Sequence, residues 1–148
     1  MKKVSIAISK DSIKINQSEL EKIVQQVKDS YPKEAGGLLL GERREISKVV
    51  PLENRYPTPK KGCTMNIQDI YNIVKESGKK LVGIYHSHPD VPDLCFFSLK
   101  DLKLAEEWPI YTLIMMTRKR KQKWAIKPFL WRYGKKKHSV ELYKLETY

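Results

Sequence analysis

The residues of this chain best suited to chemistry are two histidines one residue apart, in GIYHSHPD (83–90). They close an apolar run, KLVGIYHSH (80–88), which reads as a strand stopped by Pro89. On a strand, side chains two apart point to one face. His86 and His88 therefore project together, and Ser87 faces away. Two neutral imidazoles on one face are half of a tetrahedral zinc site; a third protein ligand and a water complete a catalytic one. Alone, such a pair at a strand end is usually structural, so the rest of the chain decides. Asp101 offers the third ligand from the helix that follows. Glu34 offers a general base for the water. Ser98, three residues before Asp101, offers a donor to an oxyanion if Asp101 ligates. Ser98–Asp101 also reads as a helix N-cap with an acid in the first turn, and capping would fix Ser98 next to the site. Cys95 reads either as a soft ligand or, preferably, as a small buried hydrophobe.

The elements that must position these residues follow from patterning. VSIAI (4–8) alternates like a strand. NQSELEKIVQQVKDSYP (16–32) is a helix with Leu20, Ile23, Val24 and Val27 on one face, Ser18 and Glu21 as a capping box and Pro32 as its stop. GGLLLGE (36–42), directly after Glu34, is a short buried strand, paired with ISKVVPLEN (46–54). RYPTPKKG (55–62) is a loop. NIQDIYNIVKESG (66–78) is a second helix, capped by Asn66 and ended by Gly78. A loop leads from Pro89 to Phe97, and SLKDLKLAEEW (98–108) is a third helix. IYTLIMMT (110–117), KWAIKPFLWRY (123–133) and SVELYKL (139–145) are strands joined by basic turns. The expected class is α+β (α/β with a mixed sheet): a central, mostly antiparallel sheet flanked by about three helices.

A length of 148 residues fits one domain, residues 1–148. No apolar run approaches the ~20 residues of a membrane helix. The N-terminus, MKKVSIAISKD, reads as a strand rather than a signal peptide. Two cysteines without CxxC spacing argue against a disulfide scaffold and suit a reducing, cytoplasmic setting. The net charge of +12 concentrates late, in RKRKQKW (118–124) and RYGKKKH (132–138). It suits a polyanion, an acidic protein or simply a solvated face. Trp108, Trp124 and Trp131 lie in apolar surroundings and are assigned to packing rather than to base stacking.

Taken in order, Glu34, His86, His88, Ser98 and Asp101 resemble the E…HSHP…SxxD motif of the JAMM (MPN+) metalloproteases. YPKEAGGLLLGE, PLENRYP, GKKLVGIYHSHPDVPD and WPIYTLIMM resemble the layout of the small prokaryotic members. The resemblance runs from the first helix to about residue 117. It implies a cytidine-deaminase-like JAMM/MPN architecture. It implies Zn²⁺ held by His86, His88 and Asp101, with Glu34 as general base and Ser98 beside the oxyanion. It further implies an isopeptidase acting after the terminal Gly-Gly of a ubiquitin-like or sulfur-carrier protein. Two departures stand out. DVPDLCFF, eight residues, makes a longer loop between Pro89 and Ser98 than the family usually has, which leaves Asp93 as an alternative ligand. Gly36 stands where many small members carry a cysteine. The alternative readings are a non-catalytic interaction module on the same fold and, less favoured, a nucleic-acid-associated domain.

Overall fold

The computed structural model describes residues 4–134 and 137–148; residues 1–3 and two lysines of the 132–138 basic turn lie outside them. The elements are β1 (Ser5–Ile15), α1 (Gln17–Ser30), β2 (Gly36–Glu42), β3 (Glu45–Leu52), α2 (Ile67–Ser77), β4 (Lys80–Pro89), α3 (Leu99–Glu107), β5 (Tyr111–Arg120), β6 (Lys123–Gly134) and β7 (Ser139–Thr147). A short 3₁₀ turn, Asp93–Cys95, precedes α3. The mixed α+β class and the three helices stand as expected.

The sheet differs from expectation in closing on itself, in the order β1-β3-β2-β4-β5-β6-β7. It is a barrel rather than an open sheet between helices. The cause is β1, which runs far beyond residue 8. A register shift between Ile8 and Ser12 lets it follow β7 in parallel along its whole length. Its end, Lys14 and Ile15, then pairs with β3 in parallel and completes the ring. β4 and β5 are also parallel, while β2–β3, β2–β4, β5–β6 and β6–β7 are antiparallel. Antiparallel pairings thus hold a bare majority.

The helices sit where their apolar stripes find cover. Ile23 and Val27 of α1 are buried against Leu39, Tyr85, Leu113 and Met115. Burial of side chains of this size stabilises by ~1.5–3 kcal/mol each. The opposite sheet face packs Leu38, Leu40 and Ile84 on Ile70 of α2, and Ile114 and Met116 on Leu102 and Ala105 of α3. Among the described residues no helix is long and apolar enough to cross a membrane.

One cap is displaced from expectation. Asn16, not Ser18, caps α1: its Oδ1 accepts from Ser18 N (2.9 Å) and from the Ser18 hydroxyl (2.6 Å). Asn16 wins because its carbonyl oxygen reaches the free N–H groups of the first turn, two positions ahead of where a Ser18 box would begin. Asn66 caps α2 through Asp69 N (3.0 Å), and Gly78 ends it in the left-handed region at φ 67°, both as read from the sequence.

Candidate metal centre and active site

β4 delivers His86 and His88 to one face at the mouth between β2, α3 and the 90–98 loop. Ser87 faces away, but it is not idle. Its hydroxyl accepts from Ala35 N (2.9 Å) and its own N–H donates to Ala35 O (2.9 Å). This extends the β2–β4 ladder past Gly36↔His86 by one pair and sets Glu34 beside the histidines. Glu34 Oε1 lies 3.4 Å from His86 Nδ1, which is buried and makes no hydrogen bond.

Asp101 reaches the same point from α3. Its Oδ1 is 3.0 Å from His86 Nε2, and its Oδ2 is 3.5 Å from His88 Nε2. The carboxylate is held by the capping box: Ser98 N donates to Asp101 Oδ2 (2.8 Å), and Asp101 N donates to Ser98 Oγ (3.1 Å). The Ser98 hydroxyl accepts there, so its proton is free to be donated outward. Glu34, His86 and Asp101 are buried, His88 is half-buried and Ser98 is exposed.

The longer 90–97 loop reaches α3 through its 3₁₀ turn and supplies a contact that orients His88 on the way. The Cys95 carbonyl lies 2.8 Å from His88 Nδ1. A carbonyl only accepts, so Nδ1 carries a hydrogen, and Nε2 is the ring nitrogen turned towards Asp101. Asp93, the alternative ligand, is engaged elsewhere. It is drawn away by Lys127 Nζ (2.8 Å) and Arg118 Nη2 (3.7 Å). Cys95 is exposed rather than a buried hydrophobe, because the turn points its side chain outward while the carbonyl serves His88.

The electrostatics are those of a compact charged cluster. Burial would lower the His86 pKa, but the Asp101 and Glu34 carboxylates overrule it and hold the value at about 9. Burial would raise Asp101, yet the two histidines keep it well below the ordinary carboxylate range. A divalent metal placed there takes over the charge that the His86 proton supplies. The donor set fits zinc. Ligand atoms of a tetrahedral zinc at ~2.0–2.2 Å stand roughly 3.3–3.5 Å apart, close to the 3.0 and 3.5 Å separations seen. Ligand atoms of Glu34, His86 and His88 also lie within 4.8 Å of one another.

Other positioning residues were not legible as such. Asn54 is a hub: its Nδ2 donates to the carbonyls of Glu34 (2.8 Å) and Gly62 (2.9 Å), and its Oδ1 accepts from Tyr56 N and Thr64 N. Lys100 reaches across the cleft to Thr64 Oγ1 (3.2 Å) and lies 4.0 Å over the Tyr56 ring. Cys63 fills the space above Gly36, where an added Cβ would stand 2.7 Å from its sulfur. Burial, with Glu34 nearby, pushes its thiol up to about 12. The only signal for Asn54 was its place in PLENRYP, which resembled the family layout without revealing a role.

The site opens into a cleft of about 530 Å³ whose walls include Lys60, Lys61, Phe97 and Ser98. A second cavity of about 310 Å³ shares His86 and Asp101 with it and continues between α2 and α3, lined by Met65, Ile67, Ile70, Leu104 and Trp108. An apolar slot leading to a polar, charged cluster suits an extended chain with at least one large apolar side chain.

Comparison with known proteins agrees with this architecture. Residues 16–127 match the family described as prokaryotic homologs of the JAB domain. A probable TtuB-protein conjugate cleaving protease of Thermus thermophilus is 38% identical over 92 residues, which is 58% of this chain and 57% of that protein. The chain thus matches little more than half the length of that relative. In fold it is similar to a protein of Desulfitobacterium hafniense (TM-score 0.67, 24% identity, 92% of each chain). It is also similar to a JAB1/MPN domain protein from Archaeoglobus fulgidus (TM-score 0.54, 21% identity, 93% of this chain and 98% of that one).

Proposed function

The chain belongs to the prokaryotic homologs of the JAB domain, and on that premise we propose that it is a zinc-dependent peptidase or isopeptidase. Its proposed bond is the amide that follows the C-terminal Gly-Gly of a ubiquitin-like or sulfur-carrier protein. The convergence of His86, His88 and Asp101 in one cleft, with Glu34 beside them, carries this reading. The conjugate-cleaving name of the Thermus thermophilus relative supports the choice of substrate.

His86, His88 and Asp101 are the residues that would hold the metal. Bound there, zinc supplies Lewis-acid polarisation and lowers the pKa of water to ~7. The chain's own groups do the rest. Glu34 takes the proton of the attacking water as its oxygen bonds to the amide carbon. It then passes that proton to the amine as the C–N bond breaks. The Ser98 hydroxyl, fixed by the helix cap, donates to the carbonyl oxygen as negative charge develops; loss of such a donor costs on the order of 100–1000-fold in rate. Cys95 O and the Ser98 N–H hold His88 and Asp101 in the orientation required. The apolar slot receives the extended tail, and glycines next to the bond let its backbone approach the buried carboxylates.

Purified protein is expected to carry one zinc per chain and to release the carrier from a C-terminal fusion, with loss of both on chelation. Full cleavage by protein that contains no zinc would overturn the reading, as would zinc-loaded protein that cleaves no carrier fusion.

A further inference from the structure

The β5–β6 hairpin runs on past the end of β4. Pro89 pairs with Thr117, and beyond that β5 has only β6 beside it. Register decides where its cations face. His86 pairs with Ile114 and His88 with Met116, so these residues share one face of the sheet. Arg118 and Arg120 continue that face in steps of two. Lys127 opposite Met116, and Lys123 opposite Arg120, lie on it as well. The face that carries the candidate metal ligands therefore ends in two rows of cations.

The inner two, Arg118 and Lys127, are paired with Asp93 of the site loop. The outer two are not. Arg120 and Lys123 are exposed and stand directly opposite each other. Among the described residues no carboxylate forms an ion pair with either. Like charges directly across a hairpin destabilise it. The tight turn between them, with Lys121 at φ 48° and Gln122 at φ 68°, keeps the two strands, and hence the two side chains, side by side. The fold gains nothing from this pair, whereas an anionic partner would.

We propose that Arg120 and Lys123 dock an acidic segment of the folded protein substrate whose tail lies in the cleft. The inference rests on the hydrolase reading above. Four residues of strand separate Arg120 from the His88 register, ~13 Å at the rise of a β-strand, a span that a folded carrier or its target bridges. Carboxylates there relieve the repulsion between the two cations and raise the encounter rate, more so at low salt. A polynucleotide is the poorer match, because Asp93 interrupts the cationic rows where a phosphate track would have to run.

The test compares R120E/K123E with K14E/K48E, a control of equal net charge built on exposed lysines of β1 and β3. Binding of a labelled oligo-glutamate peptide and a labelled single-stranded oligonucleotide is measured by anisotropy at low and high salt. KM is measured for a carrier-protein fusion and for a short Gly-Gly peptide amide. R120E/K123E is expected to weaken peptide binding by about tenfold and to raise KM for the fusion. KM for the short peptide, zinc content and the control are expected to stay as in wild type. Equal peptide affinity in the two variants overturns the proposal. So does an oligonucleotide affinity that falls in R120E/K123E while the glutamate peptide never binds. If the wild type cleaves neither substrate, the hydrolase reading fails, and peptide binding still decides the docking site by itself.

Discussion

Two loops frame the cleft, and they are held by different means. The 90–98 loop is tied to the sheet from outside. Lys127 and Arg118 hold Asp93, Arg118 donates to Val91 O (3.0 Å), Asp90 N donates to Thr117 O (2.8 Å), and the Tyr31 hydroxyl donates to Asp90. These anchors are largely solvent-facing and charged, and they end on the carbonyl that orients His88. The 53–66 loop is tied from within by the four hydrogen bonds of Asn54 and by Lys100. Its anchors end on the backbone of Glu34, whose N–H also donates to Pro59 O (2.7 Å). On the proposed mechanism one loop serves metal binding and the other proton transfer, so breaking each should leave a different kinetic signature.

The largest effect is expected on the inner loop. Asn54→Ala leaves the Glu34 and Gly62 carbonyls without their donor and lets Glu34 drift. A shift near 1 Å costs on the order of 100-fold in kcat, while zinc affinity stays as in wild type. Coupled loss of zinc would show instead that the two loops act as one.

A smaller, opposite pattern is expected on the outer loop. Asp93→Asn releases the clamp on the 3₁₀ turn and slackens the His88–Cys95 contact. Loss of a contact behind a ligand weakens metal affinity by about tenfold or more, read by chelator competition. kcat at saturating zinc is expected to hold, and high salt should mimic the mutation in wild type.

Gly36→Ala tests the packing between the loops. The new Cβ meets Cys63 Sγ and forces the 53–66 loop outward, at ~1–3 kcal/mol for overpacking of this kind. Adding Cys63→Ala should restore most of the lost stability in thermal melts; failure to do so would place the strain at Tyr85 O, 3.1 Å from the same Cβ. The smallest effect concerns reactivity alone. Alkylation should modify exposed Cys95 and spare Cys63, whose thiolate forms only as pH rises towards about 12. Equal labelling at neutral pH would mean that the inner loop opens freely.

The same contrast explains what was readable in advance. His86 and His88 follow from strand alternation, and Ser98 with Asp101 from a helix-cap spacing. Both are local rules, and the structure brings all four together with Glu34. Asn54, Ser87 and Lys100 act through partners 20, 52 and 36 residues away, and no periodicity encodes such contacts. Closure of the barrel was hidden for a related reason. It depends on a bulge in β1 and on parallel pairing with β7, at the far end of the chain. The pairing of Asp93, the alternative ligand, with Arg118 and Lys127 was hidden for the same reason: those cations lie 25 and 34 residues further along the chain.

The most direct test is Glu34→Gln, with zinc content and carrier-fusion hydrolysis measured on the same preparation. The side chain keeps its shape but can no longer take the proton. One zinc per chain, as in wild type, is expected, with kcat lower by ~100-fold or more. Hydrolysis at the wild-type rate by zinc-loaded Glu34→Gln would contradict the role of Glu34 as general base.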